Sequence, residues 1–238
     1  MEVASLYREP ESAGVETTFG ALEFHDVFKI YRSGPAETVA LRGCDLRVEP
    51  GEVVALFGPS GSGKSTVLHL AAALDEPSAG EVRAFGRSLS RLDEGELASY
   101  RAVETAIVFQ SANLWGSLSA RENLEVGLRL ARRRGVKSAV DRALDAFDLR
   151  GRERQPARTL SGGEQQRVAI AAAAAREAPL VLADEPTAEL DAQNEETVLR
   201  ALLRLPDEFG SSVVVVTHSP RVAGAVDRVI ELRDGKTA

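Results

Sequence analysis

The sequence predicts an α/β fold: a mainly parallel sheet, an antiparallel β subdomain on its N-terminal side, and a helical subdomain over about residues 111–178. Three observations carry this. The apolar runs at 180–183 and 213–216 do not alternate, as expected of strands covered on both faces. Helical patterns stand between such runs, which implies right-handed parallel crossovers. A glycine-rich segment starting at Gly58 joins an apolar run to a helical pattern.

In order along the chain, residues 1–20 mix Glu, Ser and Gly and read as a flexible tail, with residues 21–238 as one domain. Residues 21–31 and 38–49 alternate roughly and are rich in β-formers, with Ser33-Gly34-Pro35 as the turn between them. Strands are expected at 52–57, 81–85, 106–109, 180–183, 213–216 and 226–232, and a helix at 65–74. Residues 111–150 are mostly helical in pattern. Ser119 with Glu122, and Ser161 with Glu164, have the spacing of capping boxes, the second opening a helix to about residue 176. A further helix is expected at 191–205, and no tandem repeat is present.

Composition narrows the function classes. The chain has 238 residues, 44% hydrophobic and 27% charged, with a formal net charge of -7. A domain that grips nucleic acid through its phosphates usually carries a basic field, so nucleic acid is not an expected partner. The single cysteine, Cys44, forms no internal disulfide and fits a reducing cytosol. No apolar run approaches the roughly 18 to 20 residues that cross a bilayer. A membrane role would therefore be served from the cytoplasmic side, with spans borrowed from a partner.

Gly58-Pro59-Ser60-Gly61-Ser62-Gly63-Lys64-Ser65, followed by Thr66, matches Gly-x4-Gly-Lys-Ser/Thr. Glycines let successive backbone N–H groups point at phosphate oxygens. The helix that follows presents its N-terminus to the same anion. Lys64 would reach the β- and γ-phosphates of ATP, and the Ser65 hydroxyl would ligate Mg²⁺. This is the pattern of a P-loop NTPase core. The second half of the site is the run 180–183 ending in Asp184-Glu185. A buried strand delivers such acids at the C-terminal sheet edge, where open α/β sheets bind ligands. Asp184 would bind Mg²⁺, directly or through water, and Glu185 would polarise the attacking water.

Between them lies Leu160-Ser161-Gly162-Gly163-Glu164-Gln165-Gln166-Arg167, which resembles the signature motif of ATP-binding cassette proteins. Capping accounts for Ser161 and Glu164; the adjacent glycines, unfavourable inside a helix, point to close approach of an anion. The resemblance spans residues 22–235. It implies that Tyr31 stacks on adenine, and that Gln110 contacts Mg²⁺ or the attacking water. Asp191 would end the D-loop, and His218 would contact the γ-phosphate. The plain alternatives are a strand-end aromatic, a surface glutamine and a helix-cap neighbour for Tyr31, Gln110 and His218.

The resemblance further implies a homodimer or heterodimer in which the signature residues of one copy, including Ser161, Gly162, Gly163 and Gln165, cap ATP on the other's phosphate loop. Integral membrane permease subunits would complete the assembly, on the inner face of the cell membrane. Val39-Ala40-Leu41-Arg42-Gly43, Ala73-Leu74-Asp75-Glu76-Pro77 and Arg121-Glu122-Asn123-Leu124 look like the lipoprotein-release and macrolide-export branch, which favours export or mechanotransmission. A signalling or cell-wall partner, or a soluble DNA-repair or translation role, are the alternatives. Departures are Ala106, where that branch usually has glycine, and Thr187-Ala188-Glu189-Leu190-Asp191, where it usually ends Gly-Asn-Leu-Asp. Trp115, with Leu114 and Leu118, either lines a docking groove or packs within the helices. Arg129 and Arg132-Arg133-Arg134 read as a solvated helix end, with contact to anionic lipid as the alternative.

Overall fold

The two alternating runs form a hairpin: β1 (Leu22–Ser33) and β2 (Ala36–Val48) pair antiparallel, from Leu22 opposite Val48 to Ser33 opposite Ala36. The structure, a computed structural model, describes residues 19–34 and 36–237. All but Phe19 and Gly20 of the expected tail lie outside the described residues, as does Pro35 of the expected turn. The chain continues through β3 (Val53–Phe57), the glycine-rich loop, α1 (Lys64–Ala71), β4 (Ala79–Ala84) and β5 (Arg87–Ser88). Next come α2 (Glu94–Ser99), a π-turn at Tyr100–Glu104 and β6 (Thr105–Val108). Three helices follow: α3 (Ala120–Leu130), α4 (Val136–Ala146) and α5 (Gly162–Ala175). The last part is β7 (Leu180–Asp184), α6 (Ala192–Leu203), α7 (Leu205–Phe209), β8 (Ser212–Thr217), α8 (Pro220–Ala223), β9 (Arg228–Arg233) and β10 (Lys236–Thr237).

Two sheets result. An antiparallel one has the order β2-β1-β4-β5; the other has the order β10-β9-β3-β8-β7-β6, parallel except for β10. Because strand side chains alternate, each central strand feeds two cores. Val53, Val181, Ala183, Val213 and Val215 pack with α3, α4, α5 and α6. Val54, Leu56, Leu180, Leu182, Val214 and Val216 pack with α1 and the antiparallel sheet. This double burial is why the runs at 180–183 and 213–216 carry no polar face.

Both expected capping boxes form. Ser119 Oγ accepts from Glu122 N and Ser161 Oγ from Glu164 N, while each glutamate reaches back to its cap backbone. Other boundaries differ from expectation. The helix expected to residue 74 ends at Ala71, because Ala73 takes φ +51° and the Ala73 and Leu74 amides donate to the carbonyls of Leu70 and His69. This is the left-handed closure usual for glycine, here on alanine. Residues 111–119 are not helical, with Ala112 and Asn113 at φ +48° and +45°. The helix expected over 191–205 stops at Leu203, and the separate short helix α7 begins at Leu205 with Pro206 in its first turn. Helix α2 was not anticipated, although Asp93 and Glu96 close a full capping box on it.

Buried Tyr100 fastens the π-turn to α1: its hydroxyl donates to the Ala71 carbonyl at 2.6 Å. Tyr100→Phe leaves that carbonyl without its partner and is expected to cost about 1–3 kcal/mol of folding stability. Chemical denaturation measures this, and an unchanged midpoint would mean the bond contributes nothing.

Candidate functional site

The site begins at the C-terminal edge of the parallel sheet. Phe57 of β3 is paired with Thr217 of β8, and Val216 with Asp184 of β7. The residues immediately beyond the edge, Gly58, Glu185 and His218, are therefore brought side by side. They open onto a cavity of about 800 Å³. Ser60, Gly61, Gly63, Lys64, Ser65 and Thr66 form its floor, and Asp184, Glu185, Gln110 and His218 one wall. Tyr31, 38% exposed, stands at its rim.

The loop shape depends on glycine. Gly63 has φ +105°, and a Cβ there would meet the Ala40 carbonyl oxygen at 2.6 Å. A Cβ at Gly58 would run into the Leu232 carbonyl. Lys64 is only 7% exposed, and its Nζ donates to the Gly58 and Pro59 carbonyls at 2.7 and 2.8 Å. It has no ion pair among the described residues. Ser62 Oγ is buried and unpartnered. A buried cation held only by neutral carbonyls suits an incoming anion. Pro59 is exposed and, like Gly58 and Ser62, shapes the loop without lining the cavity.

On the facing wall, the Asp184 carboxyl is pushed above its ordinary value, first by burial and then by the Glu185 charge, with His69 and Lys64 opposing. Glu185 is held at φ +45°, its amide donating to the Val216 carbonyl at 2.9 Å. A glutamate in this left-handed region is strained backbone retained at a site. His218 Nδ1 lies 2.9 Å from Glu185 Oε1. Gln110 Nε2 donates to Glu189 Oε1 at 3.0 Å. The Tyr31 hydroxyl donates to Asp75 Oδ2 at 3.0 Å, and Lys29 bridges to the same carboxylate at 2.5 Å.

No group of three or more His, Cys, Asp or Glu residues suited to a metal exists among the described residues. The oxygens of Ser65, Asp184 and Gln110 are few and hard. That set fits Mg²⁺, which keeps waters and takes substrate phosphate oxygens rather than a full protein cage.

The signature residues are not brought to this cavity. Ser161, Gly162, Gly163 and Gln165 lie at the start of α5, and Gly162 and Gln165 border a separate hollow with Glu189 and Leu190. Asp191 caps α6, accepting from the Asn194 amide at 2.8 Å. Gly163 also has a reason within the chain: a Cβ there would collide with Asn194 Oδ1 and come within 2.9 Å of Asn194 Cβ. The anion argument made from the glycine pair therefore does not stand alone for Gly163.

Three contributors have no role assigned from the sequence. Buried Gln166 donates to the Phe109 carbonyl at 3.0 Å and to that of Gln110, tying α5 to the loop after β6. Asn194 and Glu189 are the others. Each acts through a partner far away in sequence, which no local spacing signals. Trp115, by contrast, is 62% exposed and not packed among the helices.

A loop of glycines and lysine facing paired acids across a sheet edge has the chemistry to hold the phosphates of a nucleotide. The chain belongs to the ABC transporter family, whose profile matches residues 41–188. It is an ATP-binding cassette of that family. It is 43% identical over 219 residues to lipoprotein-releasing system ATP-binding protein LolD 1 of Rhodospirillum rubrum, covering 91% of this chain and 96% of that one. It is 41% identical over 219 residues to the macrolide export ATP-binding/permease protein MacB of Azoarcus sp., covering 90% of this chain. The match spans 33% of that relative, so the chain corresponds to about a third of the MacB length. Among solved structures, the dimeric post-hydrolysis state of the ATP-binding cassette MJ0796, a protein of Methanocaldococcus jannaschii, bound to ADP and Pi, superposes with a TM-score of 0.82. That pair is 38% identical, with 91% and 96% of the two chains covered.

Two predictions follow from this geometry. A carboxyl whose folded-state pKa is raised contributes stability below its unfolded value and loses it as pH rises through the folded value. Asp184→Asn should therefore raise the melting temperature of the nucleotide-free protein at neutral pH, the gain shrinking as pH falls into the carboxylate range. A pH-independent difference would contradict the burial account. Gly163→Ala favours the helix by about 1 kcal/mol in propensity. The collision with Asn194 should outweigh that, costing about 1–3 kcal/mol in denaturant unfolding. Adding Asn194→Ala should remove the cost; a penalty that persists would exclude this contact.

Proposed function

We propose that residues 21–238 form the nucleotide-binding domain of a membrane transporter, binding Mg-ATP in the cavity around Lys64 and hydrolysing it. The observation that carries this is the meeting of the phosphate loop with Asp184, Glu185 and His218 at one sheet edge. Backbone amides of 60–65 and Lys64 hold the phosphates. Tyr31 offers its ring to adenine. Ser65, Asp184 and Gln110 would hold Mg²⁺, which would supply neutralisation of the phosphate charge. Glu185 accepts from and orients the attacking water. His218, hydrogen-bonded to Glu185, steadies that carboxylate and reaches toward the γ-phosphate.

The separation of the signature residues from this cavity supports a two-fold arrangement, in which Ser161, Gly162, Gly163 and Gln165 of one copy meet ATP on the other and Asp191 lies at their junction. ATP favours the closed pair, and hydrolysis favours reopening. Residues 111–178 form the helical subdomain that carries this motion to a membrane permease, with exposed Trp115 and the partly buried Leu114 and Leu118 on the docking side. No helix among the described residues is long and apolar enough to cross a membrane. The permease is therefore a separate segment or subunit, with the domain on the inner membrane face. The likeness to LolD and MacB supports export or mechanotransmission.

Glu185→Gln should keep ATP binding, abolish turnover and accumulate ATP-bound dimers in size-exclusion chromatography. Turnover equal to the parent's would remove Glu185 from its role. Lys64→Ala should weaken binding of a fluorescent nucleotide by roughly tenfold or more, the worth of a charge-assisted contact.

A further inference from the structure

The loop after β7 is built from local turns. The Ala188 amide donates to the Glu185 carbonyl and the Leu190 amide to that of Thr187, both at 3.2 Å. Glu189 is thus carried on a frame that starts at Glu185. Across from it, the Gln110 backbone is pinned from behind by buried Gln166. Between these two fixed points, Gln110 Nε2 donates to Glu189 Oε1 at 3.0 Å.

The chemistry of that pair decides which end of the amide faces the nucleotide. A glutamine side chain can present either its carbonyl oxygen or its NH₂ group. An ionised carboxylate only accepts. Glu189 therefore holds the NH₂ end, and Oε1 is left for the cavity that Gln110 shares with Ser65 and Asp184. An asparagine at 189 could accept from Gln110 or donate to it and would not enforce one orientation.

Resting on the Mg-ATP reading above, we infer that Glu189 is a positioning residue for metal binding: it orients the Gln110 amide so that its oxygen, not its nitrogen, is offered to Mg²⁺. Partners that orient metal ligands typically change metal affinity by 10- to 100-fold. The Gln110–Glu189 bond is exposed, so the lower end of that range applies.

The test uses the full chain, Mn²⁺ as an EPR-visible substitute for Mg²⁺, and a saturating non-hydrolysable ATP analogue. Glu189→Ala should weaken Mn²⁺ binding about tenfold. Analogue affinity measured in EDTA should match the parent's. Gln110→Ala should weaken Mn²⁺ binding at least as much, and Glu189→Ala added to Gln110→Ala should weaken it no further. Unchanged Mn²⁺ affinity in Glu189→Ala would overturn the inference. So would effects that multiply in the double variant, because Glu189 would then act by its own charge. A parent chain that binds no Mn²⁺–nucleotide would instead overturn the nucleotide-site reading itself.

Discussion

The phosphate loop is clamped from outside by backbone that belongs to other parts of the fold. Gly63 lies against the Ala40 carbonyl of β2, and Gly58 against the Leu232 carbonyl of β9. The Ser62 carbonyl accepts from the Gly235 amide at 3.0 Å, and the Gly235 carbonyl accepts from Arg42 at 2.8 Å. The antiparallel hairpin, the C-terminal hairpin and the loop thus meet in one backbone junction. Any side chain at 58 or 63 would force it open. The same junction sets Tyr31, on the β1–β2 hairpin, at the rim of the cavity that the loop floors.

The rest of the site follows from strand register. Parallel strands that end level with one another place the loops that follow them in a row along the sheet edge, whatever their distance in sequence. Here β3, β7 and β8 deliver the loop, the acid pair and the histidine, and β6 delivers Gln110 two residues past Val108, itself paired with Ala183. The edge is also where folding stability is given up. Asp184 is half-buried beside another carboxylate, and Glu185 sits in left-handed backbone. Both are tolerable because the strands behind them are buried on two faces, and both suit a site completed by a cation and an anion together.

Much of this was legible in the sequence because its signals are local. Gly-x4-Gly-Lys-Ser fixes a turn, two Ser-x-x-Glu patterns mark the starts of α3 and α5, and unbroken apolar runs mark doubly covered strands. What was not legible depends on distance or on an unusual residue. The end of α1 is closed by an alanine in a conformation normally taken by glycine. Helix α2, Glu94–Ser99, has a full Asp93/Glu96 capping box but spans only six residues and contains Gly95, too short a pattern to show helical periodicity. Gly163 reads in sequence as half of an anion signal, whereas Asn194, on another helix, leaves no room for a Cβ there. Gln166 and Glu189 reach the Gln110 segment across 56 and 79 residues of sequence, and neither spacing has a periodicity to betray it.

At the centre of this account, the amides of residues 60–65 and the Lys64 side chain grip a triphosphate. Hydrogen exchange of those amides, followed with and without Mg-ATP, tests it most directly. Strong slowing is expected at Gly61 to Ser65 with Mg-ATP and none with adenosine, which lacks phosphate. Exchange in this loop that is indifferent to millimolar Mg-ATP, or slowed equally by adenosine, would contradict it.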